Sequence, residues 1–167
     1  MSIIAAVDPG YHGAICVLST LAVDPLLYAM PITEGARPSY DLFAIREKLM
    51  EAQDAGLPRL YVERSQPLPA KMGGGLANWH RGRSQGLWEG LCYCLEIPVE
   101  FVEPRRWQKV MLAGCQGETT KDRALVAAQR LFPGLDLRRT PKCRKADEGF
   151  VDALLLAEWG RRQCAVL

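Results

Sequence analysis

Apolar positions come in short unbroken runs at the start of this chain. Ile3–Val7 is one such run, ending at Asp8-Pro9-Gly10. Ala14–Leu18 is a second, and Tyr11-His12-Gly13 completes the turn between them. Leu26–Met30 is a third, closed by Pro31. Short apolar runs bounded by Pro and Gly read as buried strands, and three in quick succession with short connections predict an antiparallel meander.

The period then lengthens. After Ser39, a candidate helix cap, Leu42, Ile45, Leu49 and Met50 follow at helical spacing until Gly56 and Pro58. Leu60–Glu63 reads as a strand with Glu63 at its end. The stretch Pro67–Gly86, rich in Gly and Pro and containing Gly73-Gly74-Gly75, predicts a loop. Leu87, Trp88, Leu91 and Leu95 predict a helix from about Ser84 to Glu96, and Val99–Val102 a fifth strand. Pro104 suits the first turn of a short helix with Trp107 and Met111. Thr119-x-x-Asp122 is a capping-box-like start, with Asp in place of Glu. It opens a helix with Ala124, Leu125, Ala128 and Leu131 on one face, stopped by Pro133-Gly134. A basic loop over residues 135–145 and a last helix from about Ala146 to Arg161 complete the chain. The order β-β-β-α-β-α-β-α-α-α predicts an α/β fold with a mixed sheet, one domain over residues 1–167.

Composition narrows the class. A chain that is 49% hydrophobic and 24% charged is neither disordered nor of low complexity. No apolar run is long enough to span a membrane, and Asp8 interrupts any leader-like core at the start. None of the six cysteines forms a C-x-x-C pair or a zinc-like spacing, so they read as reduced thiols. This points to the cytoplasm of a bacterial or phage-infected cell rather than an imported organellar precursor. The net charge of +2 hides a split: residues 101–145 hold 11 basic and 4 acidic side chains, while residues 1–60 hold 4 and 7. Such a block fits either a polyanion-binding surface or a solvated basic face.

Four carboxylates stand out by position. Asp8 and Glu63 end two strands, and Glu148 and Asp152 lie four residues apart on one face of the last helix. If the two strands are neighbours, their ends meet and the last helix presents its acidic face to them. Like charges at this spacing destabilise a helix unless a cation neutralises them, and carboxylate oxygens suit Mg²⁺ or Mn²⁺. Each residue also has a plainer reading: Asp8 as a turn residue, Glu63 as a partner of Arg64, Glu148 as a first-turn acid, Asp152 as a surface residue.

Three segments carry a family resemblance. Ala6-Val7-Asp8-Pro9-Gly10 with Gly13 resembles the first-strand motif of RuvC-type Holliday junction resolvases of the RNase H-like superfamily. Tyr61-Val62-Glu63 resembles their second acidic strand, and Asp152-Ala153-Leu154-Leu155-Leu156-Ala157 their C-terminal Asp-Ala-Leu helix. Gly86-Leu87-Trp88 and Lys121-Asp122-Arg123 look closer to the chloroplast-type branch and its phage and bacterial relatives. One departure is Gly149, where the bacterial pattern has an Asp three residues before the last one. Glu148, four before, takes that place in the chloroplast-type pattern, with Asp147 as the competitor.

The resemblance implies an RNase H-like mixed five-stranded sheet flanked by helices. It also implies a metal-dependent endonuclease that resolves four-way junctions or other branched DNA. Asp8, Glu63, Glu148 and Asp152 would hold Mg²⁺ or Mn²⁺, two per site, and Lys121 would steady the scissile phosphate. In the expected loop Lys71–Arg83, Lys71, Trp79, His80, Arg81 and Arg83 would meet the junction, with Trp79 stacking on an unpaired base. Arg105, Arg106, Lys109, Arg138, Arg139, Lys142, Arg144 and Lys145 would track phosphates. A homodimer would supply two sites for two symmetric nicks, with the helix Ser84–Glu96 as a candidate contact. The competing expectations are a branched-DNA-binding module that does not cut, a less selective nuclease, and a small ATPase of the actin-like superfamily. The last leaves the basic block unexplained and has no room for a second lobe.

Overall fold

The computed structural model describes residues 3–164 except 20–23, 34, 36, 37, 70 and 73. The strands are β1 (Ile3–Asp8), β2 (Ala14–Ser19), β3 (Leu26–Ala29), β4 (Ile32–Thr33), β5 (Ser39–Tyr40), β6 (Leu60–Glu63) and β7 (Val99–Val102). The helices are α1 (Leu42–Asp54), α2 (Gly75–Cys94), α3 (Pro104–Met111), α4 (Thr120–Leu131) and α5 (Glu148–Cys164). Five of the strands make one mixed sheet in the order β3-β2-β1-β6-β7. β1, β2 and β3 form the antiparallel meander, while β6 runs parallel to β1 and β7 parallel to β6.

Because side chains alternate along a strand, each run feeds two cores. Ile4, Ala6, Ala14, Cys16, Tyr61 and Val102 face the side covered by α3, α4 and α5. Ile3, Ala5, Val7, Ile15, Leu60 and Val62 face the side covered by α1 and α2. Both faces of the sheet are thus covered, which is why β1 and β6 read as continuous apolar runs. α5 lies against β1 and β2 with α3 and α4 beside it, and is buried along most of Gly149–Gly160. Trp159 meets the Tyr61 ring edge-on, with centroids 5.8 Å apart. A Cβ added at Gly160 would fall 2.5 Å from that ring, so the close packing there requires glycine.

Two local expectations are corrected. Ser39 is not a helix cap: it belongs to the small β4-β5 ladder, its backbone tied to the Thr33 hydroxyl. Asp41 caps α1 instead, its carboxylate accepting the Ala44 N–H at 3.0 Å. The second correction is larger. The predicted loop up to Gly86 is helical from Gly75 onward, so Trp79, His80, Arg81 and Arg83 stand on α2. Ser84, Trp88 and Cys92 are buried at four-residue spacing, and the Asn78 side chain bonds both backbone groups of Leu68. That burial and anchoring outweigh the low helix propensity of Gly82, Gly86 and Gly90, which lie exposed with nothing within 4 Å of an added Cβ. Gly73 lies outside the described residues. No helix among the described residues is long and apolar enough to cross a membrane.

The two kinds of glycine predict opposite outcomes in thermal or denaturant unfolding. Gly82→Ala stabilises the protein by about 0.5–1 kcal/mol, because it adds helix propensity on an open face. Gly160→Ala destabilises it by about 1–3 kcal/mol, because the new methyl overlaps the Tyr61 ring.

Candidate active site

The pleat of the sheet decides where the first two carboxylates point. Asp8 follows Ile4 and Ala6 at two-residue steps, and Glu63 follows Tyr61, so both belong to the α5 side of the sheet. The parallel register pairs Val7 with Val62, and one further step brings Asp8 and Glu63 to the same edge. α5 crosses this edge and contributes Asp152 from its second turn. The three carboxylates are close enough to act electrostatically on one another.

Burial raises all three carboxyls, and repulsion from a neighbouring acid adds to the rise in each. Glu63 is pushed up to about 7 by burial and then by the charge of Asp8, while a hydrogen bond from Trp107 opposes the rise. Asp152 is pushed up to about 8, by burial first and then by Glu63, Asp8 and Glu148, with Lys121 opposing. Asp8 is raised by burial, held back by the Gly10 N–H and by Arg139, and raised further by Asp147.

The surroundings fix these groups tightly. The buried Trp107 indole N–H donates to Glu63 Oε2 at 2.8 Å. The turn after Asp8 is gripped from the α2 side, where the Tyr40 and Ser84 hydroxyls donate to the Pro9 carbonyl at 2.8 and 2.6 Å. Within the turn, a Cβ at Gly13 would lie 2.0 Å from the Asp8 carbonyl oxygen. α5 approaches equally closely, since a Cβ at Gly149 would lie 2.4 Å from the His12 carbonyl oxygen. This explains the Gly149 departure: no aspartate fits where the helix abuts the turn.

The two candidates next to Gly149 separate clearly. Asp147 precedes α5 and accepts the Phe150 N–H at 3.1 Å as its cap. Its other contacts are to Arg139, so it is occupied structurally. Glu148 is 64% exposed and ion-paired with Lys121 on the first turn of α4. That pair raises the Lys121 amine, keeping it protonated.

Two hollows include carboxylates of the site in their walls. A cleft of about 810 Å³ is lined by Asp8, Glu63, Tyr11, His80, Arg81 and Arg83, among others. A second groove, of about 580 Å³, is lined by Asp152, Glu148, Lys121, Arg144 and Lys145, among others. Trp79, 57% exposed, stands beside the cleft, edge-on to His80 with centroids 4.9 Å apart and 5.6 Å beneath Arg83. Lys71 is exposed in the turn before α2.

The remaining basic residues divide. Arg105 and Lys109 line a third hollow of about 440 Å³ with Arg123, a residue that counting charges along the sequence does not single out. Arg106 lies apart from them, bonded to Glu100 at 2.7 Å and 4.9 Å over the Trp159 ring. Arg138 is held by Asp136 at 2.8 Å and Arg139 by Asp147 at 2.6 Å. These three arginines are engaged within the chain, Arg106 and Arg138 through half-exposed pairs and Arg139 through a more buried one. Lys142, Arg144 and Lys145 are exposed. Trp107, Tyr40 and Ser84 were unmarked in the sequence because an indole or hydroxyl has no spacing signature of its own.

The donor set of buried, mutually repelling carboxylates fits a hard divalent cation in chemistry. Their arrangement is open: among the described residues no three such groups close on a single ion.

Comparison with known proteins rests on the fold. No protein-family model matches the chain, and no curated protein sequence matches it. Solved structures do. A Thermus thermophilus RuvC structure superposes with a TM-score of 0.59 at 17% identity, covering 97% of this chain and 96% of that one. T. thermophilus RuvC in complex with a Holliday junction substrate gives 0.57 at 18% identity, with 98% and 96% covered. The chain therefore has the RuvC-like, RNase H-like α/β fold.

The raised carboxyls set a pH dependence for the metal-free protein. Asp and Glu titrate near 4 when unfolded, and Glu63 and Asp152 near 7 and 8 when folded. The folded chain thus holds protons that the unfolded chain has lost, so stability falls as pH rises from about 4 to about 8. Thermal melts in EDTA check this. Asp152→Asn melts several degrees above the unsubstituted protein at pH 8, and the gap narrows toward pH 4.

Proposed function

We propose that this protein is a metal-dependent endonuclease that cuts four-way or other branched DNA. The observation that carries this reading is the meeting of Asp8, Glu63 and Asp152 from β1, β6 and α5 at one edge of a RuvC-like sheet, in the walls of two hollows that also carry basic residues. Asp8, Glu63, Asp152 and Glu148 would hold Mg²⁺ or Mn²⁺, two per site. When bound, such ions lower the pKa of water and stabilise the leaving oxygen of a phosphodiester. Trp107 fixes the orientation of Glu63, and the Tyr40 and Ser84 hydroxyls fix the turn that carries Asp8. Lys121 lies at the groove mouth as the charge partner for a phosphate, trading its contact with Glu148 for one with substrate. His80, Arg81 and Arg83 face a strand entering the cleft, and the exposed Trp79 offers a stacking surface to a base unpaired at a branch point. Arg105, Lys109, Arg123, Lys142, Arg144 and Lys145 contact phosphates further out, and Lys71 those nearest α2.

A junction demands two symmetric nicks, so we propose a homodimer. α2 offers the open glycine face at Gly82, Gly86 and Gly90, with Leu76 and Tyr93 largely exposed, as its contact surface. The protein would act in the cytoplasm. A place in the chloroplast-type branch rests on Glu148, Gly86-Leu87-Trp88 and Lys121-Asp122-Arg123 alone, since both structures compared above are bacterial RuvC proteins.

The open arrangement of the donors favours a second reading, a branched-DNA-binding module that does not cut. Incubating the protein with a synthetic four-way junction and a linear duplex, with Mg²⁺ or Mn²⁺ present, decides between them. The nuclease reading expects paired nicks in the junction, and Asp8→Asn lowers their rate on the order of 100-fold or more while junction binding persists. Binding without nicks by the unsubstituted protein establishes the second reading, and equal cutting of linear duplex removes the junction preference.

A further inference from the structure

Arg139 belongs by sequence to the basic segment 135–145, yet its side chain is 27% exposed, the least exposed cation among the ion pairs of the described residues. It is spent on the protein itself. Its Nε donates to Asp147 Oδ2 at 2.6 Å and its Nη2 to Asp147 Oδ1 at 3.0 Å, a two-pronged pairing. The same Nη2 donates to the His12 carbonyl at 2.7 Å and reaches the Gly13 carbonyl at 3.3 Å. Asp147 in turn caps α5 through the Phe150 N–H, and the guanidinium lies 5.8 Å over the Phe150 ring.

One guanidinium therefore joins two segments that touch but share no main-chain hydrogen bond among the described residues. One is the turn that follows Asp8. The other is the start of α5, which carries Glu148 and Asp152. Gly13 and Gly149 are the small residues that permit the contact, and Arg139 is the polar tie across it. A packing contact between backbone and glycine resists compression but not sliding. A charged fork with fixed bond directions resists sliding as well.

We infer that Arg139 is a positioning residue of the carboxylate centre: bridging Asp147 and the His12–Gly13 turn, it sets the placement of Asp8 relative to Glu148 and Asp152. This rests on the nuclease reading above, in which those carboxylates hold the metal. Arg139 itself touches neither metal nor DNA.

Arg139→Met, Arg139→Lys and Asp147→Asn test the inference in the full-length protein. Calorimetric titration with Mn²⁺, without DNA and at a temperature where circular dichroism finds each variant folded, reads the site directly. The expected result for Arg139→Met is Mn²⁺ binding weakened about tenfold or more, the usual cost of removing support from ligating groups. Amide exchange at Gly13 and Phe150 speeds up in the same variant. Arg139→Lys recovers only part of the affinity, since a single ammonium cannot span both partners. If Arg139→Met does not fold, Arg139→Lys and Asp147→Asn carry the same comparison. Variants that melt lower but bind Mn²⁺ like the unsubstituted protein overturn the inference, leaving Arg139 a fold-stabilising residue. Weaker junction binding with unchanged Mn²⁺ affinity also overturns it, in favour of a phosphate contact. Failure of the unsubstituted protein to bind Mn²⁺ or to nick a junction overturns the nuclease reading instead, and this role with it.

Discussion

Three carboxylates held together in partial burial are the constraint around which this molecule is organised. Water stabilises a free carboxylate strongly, and removing it raises the cost of the charged form; placing two more acids nearby raises it again. Asp152 is pushed up to about 8, by burial first and then by Glu63, Asp8 and Glu148 together. A cluster of this kind does not stabilise the fold at neutral pH. It is tolerated because the rest of the structure is rigid enough to impose it, and it gives the site a demand for protons or cations.

That rigidity comes from opposite directions. From the α2 side, Tyr40 and Ser84 fasten the Pro9 carbonyl. From the α5 side, Arg139 fastens the His12 and Gly13 carbonyls to Asp147. Glu63 has its own support in Trp107, a buried indole whose N–H has the carboxylate as its partner. The large apolar cores on the two faces of the sheet hold β1, β6 and α5 in register, so these polar ties need only fix the last ångström. Function and stability are thus separated in space: apolar packing supplies the fold, and a few directional bonds at the sheet edge supply the site.

The two hollows that include these carboxylates differ in character. The larger carries Tyr11, His80 and Arg83 on its wall, suited to bases and sugar as well as phosphate. The smaller is bordered by Lys121, Arg144 and Lys145, suited to the phosphate backbone. The similarity to RuvC structures extends over nearly all of the chain but lies in the fold, at 17–18% identity.

Much of this was legible in the sequence, and the physical reason differs from one part to another. β1, β2 and β6 were readable because both faces of the sheet are covered there, so each is a short unbroken apolar run. Asp8, Glu63 and Asp152 were readable because charges at the ends of such runs are costly unless they have a purpose. The first three turns of α2 were not readable. Gly74, Gly75 and Gly82 look like loop to any local rule, and only tertiary burial of Ser84, Trp88 and Cys92 makes that segment helical. Arg106, Arg138 and Arg139 were equally hidden, since a sequence counts positive charges but cannot say which ones are already neutralised by Glu100, Asp136 or Asp147. Periodicity and charge are local properties, and the chain by itself determined the layered α/β fold and the acids of its centre. That Gly149 yields to the His12 backbone, and that Arg139 turns inward onto the same carbonyl, depend on contacts between residues more than a hundred positions apart, and only the tertiary structure decided them.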